Sequence, residues 1–210
     1  RLGIIQVDSP SQLLETLKFI CISGIPKGNR VMGFTCSGGG ATMLADYGEK
    51  IGLAFTQPEP DTAKVLREQL PDIATVSNPL DYTTPIWGQQ EPVEAVITTA
   101  CRDEHHAAIT VQDYPLPGLD ETKHYYFNDT KAFVNATKAA GLPAAVCCTL
   151  PENLDKETRD YLVSVGVTPA QGIQEALDAI AAAAWYGKRR AEILEAAQPL
   201  TLVQHCHATA

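Results

Sequence analysis

The stretch Val31-Met-Gly-Phe-Thr-Cys-Ser37-Gly-Gly-Gly40-Ala41-Thr42 decides the fold. An apolar, strand-forming run breaks into three glycines, and a helical pattern with Leu44, Tyr47 and Ile51 in register follows. Three consecutive residues without a Cβ let the backbone turn tightly. The first amides of the ensuing helix lack intrahelical partners and can point at an anion. Ser37, Gly38, Gly39, Gly40, Ala41 and Thr42 are therefore candidate phosphate-binding residues, with the two hydroxyls as added donors. The spacing is neither that of the dinucleotide fingerprint nor that of a Walker loop, which needs a Lys-Ser/Thr pair after its last glycine. Such a turn also serves to pack a helix closely on its strand, and at this stage both duties stand.

Outward from this turn, helices and strands alternate. Asp8-Ser9-Pro10 reads as a helix start, and Leu13, Leu14, Leu17, Ile20 and Cys21 form its apolar stripe, ending near Gly24. After the first strand and its helix, Leu53 to Thr56 reads as a short second strand. Pro60-Asp61 opens a helix with Leu66 and Leu70 inward, and Ile73 to Val76 leads into the turn Ser77-Asn78-Pro79-Leu80-Asp81. Val93, Val96, Ile97, Ala100 and Cys101 repeat with helical period. Ala107 to Val111 and Ala144 to Cys148 are continuous apolar runs, the pattern of parallel strands buried on both faces, with a helix around 128–140 between them. A helix over 155–165, a short strand at Val167 and a long helix over 171–191 complete the chain, the last with Ile173, Leu177, Ile180, Ala184 and Trp185 turned inward.

This order predicts an α/β fold, a flavodoxin-like doubly wound and mostly parallel sheet of about five strands. A single domain is expected over 1–195, with 1–28 as an N-terminal helix and linker and 196–210 as a tail or linker to a missing domain. In such sheets ligands bind beyond the carboxyl ends of the strands, and the Ser37–Gly40 turn has that address.

Composition narrows the function classes. The 210 residues carry a formal net charge of −9, which argues against nucleic acid as partner. The one basic cluster, Lys188-Arg189-Arg190, suits the end of a helix. No apolar run approaches the roughly 18 residues of a membrane span, so a cytoplasmic chain with no membrane partner is expected. The six cysteines, Cys21, Cys36, Cys101, Cys147, Cys148 and Cys206, mostly sit in apolar patterns that suit reduced, buried thiols. The chain opens at Arg1 without a methionine, and an excised or processed fragment is expected.

Cys36-Ser-Gly-Gly-Gly-Ala-Thr-Met-Leu-Ala-Asp46, Gly52-Leu53, Leu66-Arg-Glu-Gln-Leu-Pro71 and Val76-Ser-Asn-Pro-Leu-Asp-Tyr-Thr83 together resemble the nucleotide-dependent acyl-CoA synthetases of the succinyl-CoA synthetase superfamily. The resemblance is closest to the C-terminal flavodoxin-like, CoA-ligase domain of the ADP-forming acyl-CoA synthetases. Its tight matches lie between Arg30 and Thr84. It implies a reaction in which acyl-CoA and phosphate give an acyl phosphate, which phosphorylates a histidine on a mobile loop, which in turn phosphorylates ADP. The helix starting at Gly39-Gly40-Ala41 would be one of two N-termini that face the phosphohistidine, with Asn78 and Asp81 at the edge of the site. The Ser-His-Thr-Gly type of loop that carries this histidine is not in the chain. The resemblance therefore implies a fragment that binds no cofactor and does not catalyse alone. Its partners would be the CoA-binding, phosphohistidine-loop and ATP-grasp domains, and coenzyme A, ADP or ATP, phosphate and magnesium would serve the full enzyme. Self-association into a homo-oligomer is a further expectation.

Two other readings compete. Thr35-Cys36-Ser37-Gly38-Gly39 has small residues around a serine after a strand, like a serine hydrolase's nucleophile elbow, although Thr35 replaces the first glycine and no oxyanion segment precedes it. The family also contains degenerate synthetase domains that regulate an attached acetyltransferase, so the resemblance admits a non-catalytic docking or regulatory module. Asp46 is expected to make a structural hydrogen bond, and His105, His106 and His124 to lie at the surface. His205-Cys206-His207 is not expected to be a native metal site.

Overall fold

A computed structural model of the chain describes residues 3–116 and 118–196. The expected tail lies beyond Ala196 and so outside the described residues, as do His205, Cys206 and His207. Five strands, β1 (Val31–Thr35), β2 (Leu80–Asp81), β3 (Ala107–Val111), β4 (Ala144–Cys147) and β5 (Thr168–Ala170), form one sheet in the order β2-β1-β3-β4-β5. Every pairing is parallel, as the continuous apolar runs require. The helices are α1 (Pro10–Ile22), α2 (Gly38–Lys50), α3 (Pro60–Gln69), α4 (Gln90–Ala100), α5 (Lys123–Ala140), α6 (Lys156–Ser164) and α7 (Ile173–Ala196).

Alternate residues of each strand feed two cores. Met32, Phe34, Ala108 and Val146 pack under α3, α4, α5 and α6 through Leu66, Val96, Phe133 and Leu162. Val31, Ile109, Ala145 and Cys147 pack under α1, α2 and α7 through Phe19, Leu44, Leu177 and Ile180. Each large apolar side chain so buried contributes about 1.5–3 kcal/mol.

Several expectations are corrected. Leu53–Thr56 forms no strand; a single bridge joins Ala54 to Arg30. Ile73–Val76 is irregular, and Leu80–Asp81, expected within a turn, forms the strand instead. The cause is Asn78, which precedes a cis proline. Its side chain accepts from the Gly33 amide at 3.0 Å and donates to the Val31 carbonyl at 2.8 Å and the Thr56 carbonyl at 3.0 Å. Groups of β1 that a neighbouring strand would pair are thus taken, and β2 joins only at Phe34↔Leu80 and Thr35↔Asp81.

The helix stripe of α1 is corrected too, and that of α7 at Trp185. On α1 the buried residues are Glu15, Thr16 and Phe19, whereas Leu13, Leu14 and Leu17 face outward. Glu15 is held by Lys18 at 2.8 Å and by the Gln171 amide at 3.3 Å. Lys18 also donates to the Pro169 carbonyl of β5 at 2.8 Å. Trp185 is 45% exposed, not inward. The helix expected near 128 begins at Lys123. Of the described cysteines, all free, Cys147 and Cys148 are buried, Cys36 and Cys101 half-buried, and Cys21 exposed. No helix among the described residues is long and apolar enough to cross a membrane.

Candidate functional site: the open N-terminus of α2

The chain leaves β1 at Thr35 and enters α2 at Gly38, at the carboxyl edge and at the point where the strand order reverses between β1 and β3. That is the address at which doubly wound sheets bind ligands. Thr35 organises the turn, its Oγ1 accepting from the Ser37 amide at 3.2 Å. Ser37, in extended conformation at the N-cap, makes no side-chain cap bond, unlike Ser9 at α1 and Asp155 at α6. The Ala41 amide bonds the Ser37 carbonyl at 3.1 Å, while the amides of Gly38, Gly39 and Gly40 have no partner among the described residues. Three free amides at the positive end of a 13-residue helix form an anion site in outline.

The three glycines separate by duty. A Cβ on Gly40 would lie 2.7 Å from Thr35 Oγ1, so that glycine serves close packing of helix on strand. A Cβ on Gly38 would lie 3.6 Å from Asp81 Oδ2, and one on Gly39 3.6 Å from Ser37 Oγ, both ordinary contacts. Neither residue has positive φ, and both are exposed. Packing and backbone conformation thus account for Gly40 alone.

Of the other expected site residues, Ser37 is exposed with a free hydroxyl at the tip of the helix. Thr42 donates its hydroxyl hydrogen to the Gly38 carbonyl at 3.0 Å, back along its own helix. Asp81 is brought to the turn: Oδ1 accepts from the Thr83 amide at 2.9 Å, and Oδ2 faces Gly38. Asn78 is not; it lies buried beside the middle of β1. Asp46 is exposed and makes no hydrogen bond among the described residues.

Sequence reasoning missed the loop that walls this edge. Thr83 holds a left-handed backbone at φ 64°, uncommon for a β-branched residue. Beneath it, Asp129 on α5 accepts from the Tyr82 hydroxyl at 2.7 Å and from the Gly88 amide at 2.8 Å. Gln112 donates to the Tyr82 hydroxyl at 2.8 Å. Burial drives the Asp129 carboxyl up to about 6, the two hydrogen bonds offsetting part of the effect. Burial, then the nearby Asp129 charge, hold the Cys36 thiol up at about 12, so it is no thiolate nucleophile. The signal for Asp129 was its place on the buried face of α5, in line with Ala132, Phe133 and Ala136.

The nucleophile-elbow reading finds no histidine base among the described residues. His105 and His106 lie before β3, at the opposite edge of the sheet and half-buried rather than at the surface, and His106 accepts from the Arg30 amide. His124 opens α5 against Tyr125.

The chain is 40% identical over 65 residues to the alpha subunit of acetate–CoA ligase [ADP-forming] II of Pyrococcus furiosus, a match covering 31% of this chain and 14% of that protein. Its fold superposes on the PH0766 protein of Pyrococcus horikoshii OT3 with a TM-score of 0.71 at 22% identity, over 89% of this chain and 42% of that one. It superposes equally well, at 20% identity, on the dinucleotide forming acetyl-coenzyme A synthetase 1 of Candidatus Korarchaeum cryptofilum, over 93% of this chain and 42% of that one. The chain thus shares its fold with part of each of these proteins. The Korarchaeum protein has also been solved in complex with phosphate and ADP, with the same TM-score. No family model matches the chain. The chain spans about two fifths of the length of these solved structures.

Proposed function

We propose that this domain acts as part of an acyl-CoA synthetase (NDP-forming), an acid–thiol ligase, and that the N-terminus of α2 holds the phosphoryl group of a phosphohistidine carried by another domain. The observation that carries the reading is the pair Gly38 and Gly39, whose lack of side chains neither packing nor backbone conformation demands, standing over three unpartnered amides. A missing Cβ there leaves the backbone open to an oxygen-rich ligand. Backbone donors and a helix dipole stabilise a phosphoryl dianion without placing a nucleophile beside it.

In the reaction, phosphate displaces coenzyme A from the acyl-CoA, the histidine takes the phosphoryl group and releases the acid, and ADP with magnesium takes it from the histidine. Coenzyme A, ADP or ATP, and magnesium serve the assembled enzyme, on CoA-binding, phosphohistidine-loop and ATP-grasp domains, in the cytoplasm.

The test is acyl-CoA-dependent ATP formation from ADP and phosphate by the full-length gene product. Gly39→Val, which covers the amides, is expected to abolish phosphotransfer between acyl phosphate and ADP while the protein stays folded. Normal phosphotransfer in that variant would reduce the turn to a packing device and overturn the reading.

A further inference from the structure

The opposite, amino-terminal edge of the sheet carries a groove that phosphoryl transfer at α2 leaves unused. The loop between α1 and β1, the segment after α2 and one face of α7 enclose about 870 Å³, within the range of small-molecule pockets. Trp185, exposed where a core residue was expected, stands in this groove with Ile25. Lys27, Lys188 and Arg190 line it as well, all exposed, and none forms an ion pair among the described residues. The groove's carboxylates are Glu192, which Arg189 engages at 2.8 Å, and Glu195. In a chain of net charge −9, three unpaired cations around one exposed indole are a concentrated positive feature.

The wall is fixed. A Cβ on Gly187 would lie 2.7 Å from Ile25 Cγ2 and 2.9 Å from the Pro26 carbonyl, so the loop is seated directly against α7. Trp185 and Lys188 share a helix face at i, i+3 spacing.

We propose that this groove binds a nucleoside phosphate, its base against the Trp185 indole and its phosphates among Lys27, Lys188 and Arg190. The combination selects the ligand class. An inorganic anion gains nothing from an exposed indole, and an uncharged aromatic gains only weak cation–π contacts from three cations, whereas a flat ring bearing phosphates uses both fully. The site stands apart from the N-terminus of α2 and does not depend on what that site does.

The experiment is calorimetric and tryptophan-fluorescence titration of the 210-residue chain with ADP at low ionic strength. Saturable binding that quenches tryptophan emission is expected, with adenosine and inorganic pyrophosphate each at least tenfold weaker. The exposed double variant Lys188→Ala/Arg190→Ala should weaken ADP binding at least tenfold, and Trp185→Leu should remove the quench. Gly39→Val, at the other edge, should leave it unchanged. Absence of saturable binding, equal affinity for pyrophosphate and ADP, binding that survives the double variant, or binding lost in Gly39→Val would each overturn the proposal.

Discussion

Gly39 and Gly40 are chain neighbours with opposite physical constraints. A methyl group at position 40 must displace Thr35 Oγ1, which the Ser37 amide already fixes, so Gly40→Ala is expected to destabilise the domain by about 1–3 kcal/mol. Gly39→Ala meets only an ordinary contact, and by restricting the unfolded chain it should leave stability unchanged or raise it by up to about 1 kcal/mol. Urea midpoints of the two variants check this, and equal losses would mean that the whole triplet is packing. Asp81 poses a related test. Its Oδ2 faces Gly38, so a unit negative charge stands where a phosphate would approach. At about 4 Å in water that repulsion is about 1 kcal/mol, and Asp81→Asn should raise the affinity of this chain for inorganic phosphate about fivefold by NMR titration. Unchanged affinity would show that the carboxylate does not reach the anion. The triplet itself was legible in the sequence. The division of labour within it was not, because it depends on where Thr35 Oγ1 lies in space.

Among the helices, caps were legible, and so were the inward faces of α3, α4 and, Trp185 apart, α7; the face of α1 was not. Asp155 heads α6, accepting from the Thr158 amide at 2.8 Å and pairing with Lys123 at 2.8 Å. Burial alone would push its carboxyl up, but the hydrogen bonds from Lys123 and Thr158 outweigh it and hold the group below the usual carboxylate range. Asp155→Ala should therefore cost about 1–2 kcal/mol at neutral pH. Because the folded state holds the ionised form more tightly, that difference should fade as the pH drops through the carboxylate range, and Asp155→Asn should cost less than alanine at neutral pH. Chemical denaturation at pH 7 and pH 3 measures both. The stripe of α1 misled for a physical reason. A helix at the margin of a sheet rests on one neighbour as well as on the core, and here Glu15 and Thr16 fill that contact while three leucines face outward. Periodicity identifies a helix; it does not say which stripe meets a neighbour that is itself polar.

For the whole molecule, the parallel sheet was readable from the apolar runs at 31–36, 107–111 and 144–148, since strands with no polar side must be covered twice. The shift of β2 from Leu53 to Leu80 was not readable, because one asparagine side chain stands in for a strand. Global stability should also carry the mark of Asp129. Burial holds its carboxyl at about 6, so between about pH 4 and pH 6 the unfolded chain gives up this proton before the folded one does. Folding then loses ground as the pH rises through that window, by up to about 3 kcal/mol. Asp129→Asn has no such proton, so the stability of the native protein relative to this variant should fall from pH 4 to pH 7 in urea titrations. A difference independent of pH would mean that Asp129 is not held neutral. The side chain of Asn78 has one more consequence, shared with β5 at the other margin. On one side β1 already spends Val31 and Gly33 on Asn78, and β2 offers only two residues. On the other, Pro169 has no amide to donate and Lys18 occupies its carbonyl. Neither border presents a run of vacant peptide groups, so an intruding chain finds nothing to template on, and the domain should resist cross-β fibril growth even at high concentration.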